Sequence, residues 1–139
     1  RGRAFRFRDD ELDEAARYLE RVTADPAVRE VLHAPRAQRE VPFVLPSGRD
    51  FLTGTIDVLV EETDGALRIV DWKTDRIGRS SGEDAKERYR GQAAAYARAV
   101  SEITGRSVTE VRFVFLSSEP VEVGAFLPRD LAAPGSASR

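Results

Sequence analysis

Apolar residues in the first quarter of the chain recur at helical spacing. Over residues 9–24 they fall every three or four positions, and acidic residues fill the first turn, where they stabilise a helix N-terminus. Asp25-Pro26 then has the form of a capping residue followed by proline at the first helical position, and Pro35 marks the end of a second, short helix. The apolar positions of these two predicted helices are Leu12, Ala15, Ala16, Leu19, Val22, Val28, Val31 and Leu32.

Further along the chain the pattern changes to the alternation of a β-sheet. Residues 41–45 are predicted to be extended and at a sheet edge, because Pro42 cannot donate a ladder hydrogen bond. Residues 51–60 alternate, and Thr63-Asp64-Gly65 is a hairpin signal, so residues 66–73 form the returning strand. We expect one face of the first hairpin strand to hold Leu52, Ile56, Val58 and Val60.

The remaining pattern completes an α/β fold. A polar loop over residues 74–84 leads into a helix over residues 83–101, followed by strands at residues 108–116 and 121–127. Helices, a hairpin, a helix and two strands in this order predict a central mixed β-sheet flanked by helices. We expect one domain over residues 9–131, with residues 1–8 as a linker or truncated element and residues 132–139 as a flexible tail.

The composition narrows the possible chemistry. The chain has no cysteine and a single histidine, His33, which excludes disulfides, thiolate zinc sites, iron–sulfur clusters and sites of several imidazoles. No apolar run approaches the ~18 residues of a membrane span and no secretory signal is present, so we expect a cytoplasmic protein without membrane contact. The net charge of −2 gives no global argument for a polyanionic partner. Because methionine is absent, we expect a domain cut from a longer protein.

The predicted hairpin gathers the candidate chemistry. Asp71 and Lys73 lie two apart on a strand, so their side chains emerge on one face, and the short turn brings Asp57 roughly opposite Asp71. Two neighbouring carboxylates repel unless they are protonated, paired or bridged by a cation, and oxygen ligands suit Mg²⁺ or Mn²⁺. Lys73 is then placed to orient an attacking water or to stabilise charge on a phosphate. The alternative for the same residues is a solvated ion pair.

Two further features support a site beside this hairpin. Gly54 is unfavourable inside a strand unless another group approaches the backbone closely. On the following helix Gln92 and Tyr96 lie four apart, so both can reach one substrate. The alternative is a helix packed by Tyr89, Ala93 and Tyr96, with Gln92 at the edge of the contact.

Four short segments resemble the signature of a known family. GTID at residues 54–57, IVDWKTD at residues 69–75 and QAAAY at residues 92–96 resemble the GxxD…(D)xK…QxxxY pattern of RecB-type nucleases. These nucleases belong to the PD-(D/E)xK superfamily, whose core is restriction-endonuclease-like. REVPF at residues 39–43 resembles the strand before GxxD in the AddA-like branch, and the resemblance extends over about residues 28–116.

The resemblance implies a metal site. Asp57 and Asp71 would be the metal-binding carboxylates for Mg²⁺ or Mn²⁺. The backbone carbonyl of Trp72 would be a further ligand, and His33 matches the histidine ligand of the family. Glu40 has two interpretations, either a contact to the metal region or a residue that only flanks the following proline.

The implied reaction is hydrolysis of DNA phosphodiester bonds by a metal-activated water. Lys73 would be the catalytic lysine, while Gln92 and Tyr96 would support the site and contact the DNA strand. Family members of this type form the C-terminal exonuclease module of a helicase that resects double-strand breaks. The implied partners are single-stranded or unwound DNA, a helicase domain in the same parent chain and a second helicase-nuclease subunit, in the bacterial cytoplasm. The absence of cysteine argues against the branch that has an iron–sulfur cluster.

Basic residues around the long helix are candidates for contact with the DNA backbone. They are Lys86, Arg88, Arg90 and Arg98, with Arg76 and Arg79 in the preceding loop. The alternative is a solvated helix face in which Glu83, Asp84 and Glu87 are their partners. No base-reading motif is present, so we expect little sequence specificity.

Three other functions are compatible with these residues. A silent DNA-binding or scaffold module of the same fold would normally lose an acid or the lysine, whereas Asp57, Asp71 and Lys73 are all present. A restriction-type endonuclease would dimerise and contain recognition loops. A repair nuclease, or one directed at RNA, would share the same core.

Overall fold

A computed structural model describes residues 6–74 and 82–131 of the chain, and it contains every helix and strand that the hydrophobic pattern predicts. The elements are α1 (Asp9–Ala24), α2 (Pro26–Leu32), β1 (Ala37–Ser47), β2 (Asp50–Glu61), β3 (Leu67–Lys73), α3 (Gly82–Thr104), β4 (Val108–Phe115), β5 (Glu122–Phe126) and α4 (Pro128–Leu131). The four-residue α4 is an addition to the prediction, and β1 begins four residues earlier than expected.

The five strands form one sheet in sequence order, β1-β2-β3-β4-β5. Neighbouring strands are antiparallel except β3 and β4, which are parallel and are joined through α3. A parallel pair needs a crossover connection of this kind. The predicted mixed sheet is therefore confirmed, and β1 is an edge strand, as Pro42 indicated.

Helices pack on both faces of the sheet, and each face has its own hydrophobic cluster. The α3 side includes Ile69 of β3 and Phe113 of β4, neither of which is exposed to solvent. The cluster on the side of α1 and α2 is built from valines, namely Val22, Val28, Val31, Val58, Val60, Val70 and Val114. Because β3 lies in the middle of the sheet, its residues from Leu67 to Asp71 are all buried.

The alternation of side chains is interrupted at Glu40 and Asp57, which occupy opposite positions on β1 and β2. The ladder has no pair at this point, and Glu40 has a φ of 51°, in the left-handed region. Ile56 packs on the α3 side, whereas Val58 and Val60 pack on the side of α1 and α2. The prediction that these three residues share one face is wrong, because the strand rotates at Asp57.

A fork between β2 and β3 follows from this interruption. The two strands pair over four residues each, and the ladder ends at Val58 and Val70. Beyond that pair β2 remains paired with β1 alone, while β3 remains paired with β4 to its last residue. Asp57 and Asp71 are the next residues on the two strands, so both lie at the fork.

Several predictions fall outside the described residues. The tail over residues 132–139 lies outside them, as do residues 1–5 of the expected linker and residues 75–81, which include Arg76 and Arg79. In the part of the chain that is described, no helix is long and apolar enough to cross a membrane.

Candidate active site

Asp57 lies where the hairpin register predicts. One step beyond the last pair of β2 and β3 sets it opposite Asp71. Its carboxylate accepts a hydrogen bond from the backbone N–H of Trp72, with 2.8 Å between Trp72 N and Asp57 Oδ2. Because this side chain satisfies a backbone donor that has no ladder partner on β2, the carboxylate of Asp57 is fixed beside the end of β3.

Asp71 is a buried carboxylate, with only 5% of its surface exposed. Its Oδ2 lies 2.8 Å from Nζ of Lys73. Burial raises the pKa of Asp71 above its usual value, the ammonium of Lys73 opposes this rise, and the negative charge of Asp57 adds to it. The fork thus holds a buried carboxylate, a half-buried carboxylate beside it and one ammonium, and a further positive charge would reduce the repulsion between the two carboxylates.

Lys73 links the sheet to α3. Its Nζ donates to Oε1 of Gln92 at 2.8 Å, and Nε2 of Gln92 donates to the hydroxyl oxygen of Tyr96 at 3.0 Å. The structure thus brings Gln92 and Tyr96, which their spacing places on one side of α3, to the hairpin. Burial, together with the charge of Asp71, raises the pKa of Tyr96, so its hydroxyl stays protonated at neutral pH.

Gly54 has no room for a side chain. A Cβ atom there would lie 2.8 Å from two ring atoms of Phe43 and 3.7 Å from the ring of Tyr96. The rings of Phe43 and Tyr96 meet edge to face, with centroids 5.9 Å apart. The close approach predicted at Gly54 is therefore that of a ring that supports Tyr96.

Phe43 is a supporting residue that the sequence analysis did not single out. It lies directly across from Gly54 in the β1–β2 register. Counting back from the tight turn between Ser47 and Asp50 gives this pairing, so a signal for it exists in the sequence.

The residues of this site lie within a segment that matches a family profile. The profile of the PD-(D/E)XK nuclease superfamily matches residues 3–133. The chain belongs to this superfamily.

Curated relatives of this nuclease domain are much longer proteins. The chain is 37% identical over 114 residues to an ATP-dependent helicase/nuclease subunit of Carboxydothermus hydrogenoformans. This alignment covers 73% of the chain and 10% of that protein. It is 46% identical over 71 residues to the protein of the same name from Desulforudis audaxviator, covering 51% of the chain and 6% of that protein. The chain therefore spans about a tenth or less of the length of these relatives.

Solved structures contain the same fold. A proposed exonuclease from Eubacterium rectale matches with a TM-score of 0.59 at 17% identity, over 88% of this chain and 48% of that chain. The protein SSO0001 matches with a TM-score of 0.51 at 16% identity, over 86% of this chain and 59% of its own. At these identities the likeness shows the fold alone, and it confirms the restriction-endonuclease-like core.

One of the predicted metal ligands, His33, does not lie at the fork. His33 is exposed at the C-terminal end of α2, where its backbone N–H donates to the carbonyl of Arg29 at 3.0 Å. Among the side chains that the structure describes, those of residues 6–74 and 87–131, no three histidines, aspartates or glutamates group closely enough to hold a metal ion, so His33 does not join Asp57 and Asp71. Its role as a ligand stays a prediction, as does that of the Trp72 carbonyl.

The predicted DNA-contact residues of α3 have different surroundings. Arg88 is exposed, and its guanidinium carbon lies 5.1 Å from the ring centroid of Tyr89. Arg90 forms an ion pair with Glu87 at 3.6 Å, which agrees with the alternative of a solvated helix face. The side chain of Lys86 lies outside the described part of the structure.

Proposed function

We propose that this nuclease domain hydrolyses DNA phosphodiester bonds with the help of bound Mg²⁺ or Mn²⁺. The observation that supports the proposal best is the fork, where Asp57, Asp71 and Lys73 converge from two strands. The one ammonium there pairs with Asp71, a second carboxylate lies beside it, and burial raises the pKa of Asp71. A divalent cation would relieve this imbalance, and phosphate oxygens would complete its coordination.

The donor set fits a hard divalent cation. Mg²⁺ and Mn²⁺ prefer oxygen ligands, and Mg²⁺ in phosphate-processing sites is commonly held by one or two carboxylates together with waters. Asp57 and Asp71 would hold the ion, with the Trp72 carbonyl as a further ligand. Glu40, opposite Asp57 across the interrupted ladder, is a candidate for contact with the same region. When bound, such an ion lowers the pKa of a water molecule and stabilises charge on a phosphate.

Side chains of the domain would position the water and the phosphate that react. Lys73 is held between Asp71 and Gln92, so its ammonium stays at the fork. From there it would donate to the attacking water or to a phosphate oxygen, where negative charge develops in the transition state. Tyr96 fixes the amide of Gln92 and would contact the DNA strand. Water would attack the phosphorus directly, the P–O bond to one sugar oxygen would break, and no covalent enzyme intermediate would form.

The larger context is inferred from the relatives, which are named as subunits of an ATP-dependent helicase/nuclease. We infer that the domain acts beside a helicase domain of the same parent chain, on single-stranded or unwound DNA in the bacterial cytoplasm. Its task would be exonucleolytic resection of double-strand breaks, in partnership with a second helicase-nuclease subunit. Lys86, Arg88 and Arg90 would contact the backbone of the strand with little sequence preference.

Cleavage of end-labelled single-stranded DNA by the purified chain tests the proposal. We expect cutting with Mg²⁺ or Mn²⁺ that is lost with EDTA and lost in Lys73→Ala. The control Asp50→Asn, at the exposed start of β2, should cut like the wild type. Cutting in EDTA would overturn the metal requirement, and a single preferred cleavage site would favour a restriction-type enzyme. A chain that neither cuts nor shows a thermal shift with Mn²⁺ would favour the silent scaffold.

A further inference from the structure

Two aromatic rings lie beside the ammonium of Lys73. Its Nζ is 5.6 Å from the ring centroid of Tyr89 and 5.4 Å from that of Phe113. Both distances are within the ~6 Å at which a cation is attracted to the face of an aromatic ring. Together with Asp71 and Gln92, each 2.8 Å from Nζ, the rings leave 18% of the lysine side chain exposed.

The ring of Tyr89 is itself held by the sheet. Its centroid lies 5.4 Å from those of both Phe113 and Phe115, so the two β4 residues fix its position. Tyr89 precedes Gln92 by three residues on α3, and residues at that spacing lie on the same side of a helix. One helix face therefore presents both an aromatic ring and an amide oxygen to Lys73.

We propose that Tyr89 is a positioning residue whose ring, together with Asp71 and Gln92, holds the ammonium of Lys73 at the fork. The proposal rests on the proposed catalytic function of Lys73. The hydrogen bond to Gln92 and the ion pair with Asp71 act at the tip of a long, flexible side chain, and the ring blocks rotamers that would move the tip away. Phe113 is fully buried in the core, whereas Tyr89 is half-buried, so Tyr89 can be replaced with less damage to the fold.

Two substitutions separate the ring from the rest of the side chain. The Tyr89 hydroxyl accepts a hydrogen bond from Arg88 at 3.3 Å, so Tyr89→Phe removes that bond and keeps the ring beside Lys73. Tyr89→Leu keeps an apolar side chain against the sheet and removes the ring. The matched control is Tyr18→Leu, because the Tyr18 ring holds the guanidinium of Arg21 at 5.3 Å and packs on the opposite side of the sheet.

A spectroscopic test needs neither DNA nor metal. The chain contains only two lysines, Lys73 and Lys86, so ¹³C-labelled lysine gives two ε-CH₂ signals, which Lys86→Arg assigns. Protons near the face of a ring are shielded, and we expect the Lys73 signal to move downfield in Tyr89→Leu and to stay in place in Tyr89→Phe. An unchanged Lys73 signal in Tyr89→Leu would overturn the proposal. If Tyr89→Leu does not fold, Tyr89→Met replaces it in the same measurement.

Kinetics then test whether the position matters for cleavage. We expect kcat of Tyr89→Leu to fall about 3- to 30-fold, the factor expected for loss of the cation–π contact between the ring and Lys73. Tyr89→Phe should restore kcat, and Tyr18→Leu should not lower it. Equal losses in Tyr89→Phe and Tyr89→Leu, or a loss confined to KM, would overturn the proposal.

The two proposals fail in different ways. If Lys73→Ala cuts DNA like the wild type, the proposed function of Lys73 is overturned, and the positioning role is overturned with it. If Lys73→Ala is inactive and Tyr89→Leu keeps its kcat, the positioning role alone is overturned.

Discussion

Arg68 and Asp71 are both buried on β3, with 7% and 5% of their surfaces exposed, but they differ in how their charges are balanced. Arg68 donates hydrogen bonds of 2.6 and 3.1 Å to Glu30 on α2. These bonds lower the pKa of Glu30 and raise that of Arg68, so each partner stabilises the charge of the other. Asp71 lies beside Lys73, yet burial still raises its pKa.

The difference separates a structural ion pair from the proposed functional site. The carboxylate of Glu30 meets two guanidinium groups, those of Arg68 and Arg112, and needs no further cation. The carboxylate of Asp71 meets one ammonium and a second carboxylate, that of Asp57. Carboxylates whose pKa is raised by burial and by a neighbouring negative charge occur often at functional sites. The balance of charges around β3 therefore favours the fork as the site of the proposed chemistry.

The largest expected effect is the loss of cleavage in Asp71→Asn and Lys73→Ala. Each change removes a group of the fork, and we expect kcat to fall by at least about 10³-fold. The melting temperature of metal-free Asp71→Asn should not fall, because the repulsion between Asp57 and Asp71 is relieved. Steady-state cleavage and thermal unfolding measure the two effects, with Asp50→Asn as the control. Cleavage at the wild-type rate by either variant would show that the fork is not the site of cleavage.

Gly54→Ala should destabilise the side of the sheet that contains the site. The new Cβ would lie 2.8 Å from the ring of Phe43, so we expect a loss of about 1–3 kcal/mol of unfolding free energy from overpacking. Phe43→Leu in the same chain should recover part of that loss, which a double-mutant cycle in urea detects. Gly91→Ala is the control, because nothing lies within 4 Å of a Cβ there. Additive losses in the double variant would show that the two residues do not interact.

The local part of this architecture could be predicted from the sequence. The turn with Gly65 at a φ of 86° sets the register of the hairpin, and the register places Asp57 opposite Asp71. The spacing of Gln92 and Tyr96 likewise follows from the helical repeat. Each of these inferences needs only contacts between residues whose relative positions are set by one turn or one helix.

The rest depends on contacts that no local pattern reveals. The left-handed backbone of Glu40 is unusual for a residue other than glycine, so nothing at that position predicts the interruption. The hydrogen bonds between Glu30 and Arg68 join residues 38 positions apart, on a helix and a strand whose packing angle the sequence does not give. The position of His33 depends on the same packing. Its predicted role as a metal ligand is therefore the one that the structure supports least.

Glu30→Gln should weaken the fold and leave the chemistry intact. The change removes the negative charge that Arg68 and Arg112 share, and we expect the free energy of unfolding to fall by about 1–2 kcal/mol. This is less than the cost of breaking a fully buried ion pair, because Glu30 is half-exposed. The kcat measured below the melting temperature should equal that of the wild type. A fall in kcat at unchanged stability would mean that the Arg68 side of β3 also serves the site.

The smallest expected effect is on the pH dependence of stability, which should have opposite signs for Glu30→Gln and Asp71→Asn. Because asparagine and glutamine do not titrate, the difference in unfolding free energy between wild type and each variant isolates one carboxylate. The pKa of Glu30 is lowered in the fold, so its stabilising contribution is present above its usual value of 4.5 and is lost as the pH falls below it. The deficit of Glu30→Gln should therefore shrink on acidification.

The pKa of Asp71 is raised in the fold, so the native state binds its proton more tightly than the unfolded chain does. Its contribution is present below the usual value of 3.8 and is lost as the pH rises through the higher native value. Metal-free Asp71→Asn should therefore gain stability relative to the wild type as the pH rises from 3.8 toward neutrality. Urea unfolding at a series of pH values measures both trends. If the two differences in unfolding free energy change with pH in the same direction, the charge of Asp71 is stabilised in the fold like that of Glu30. The carboxylates of the fork then need no further cation.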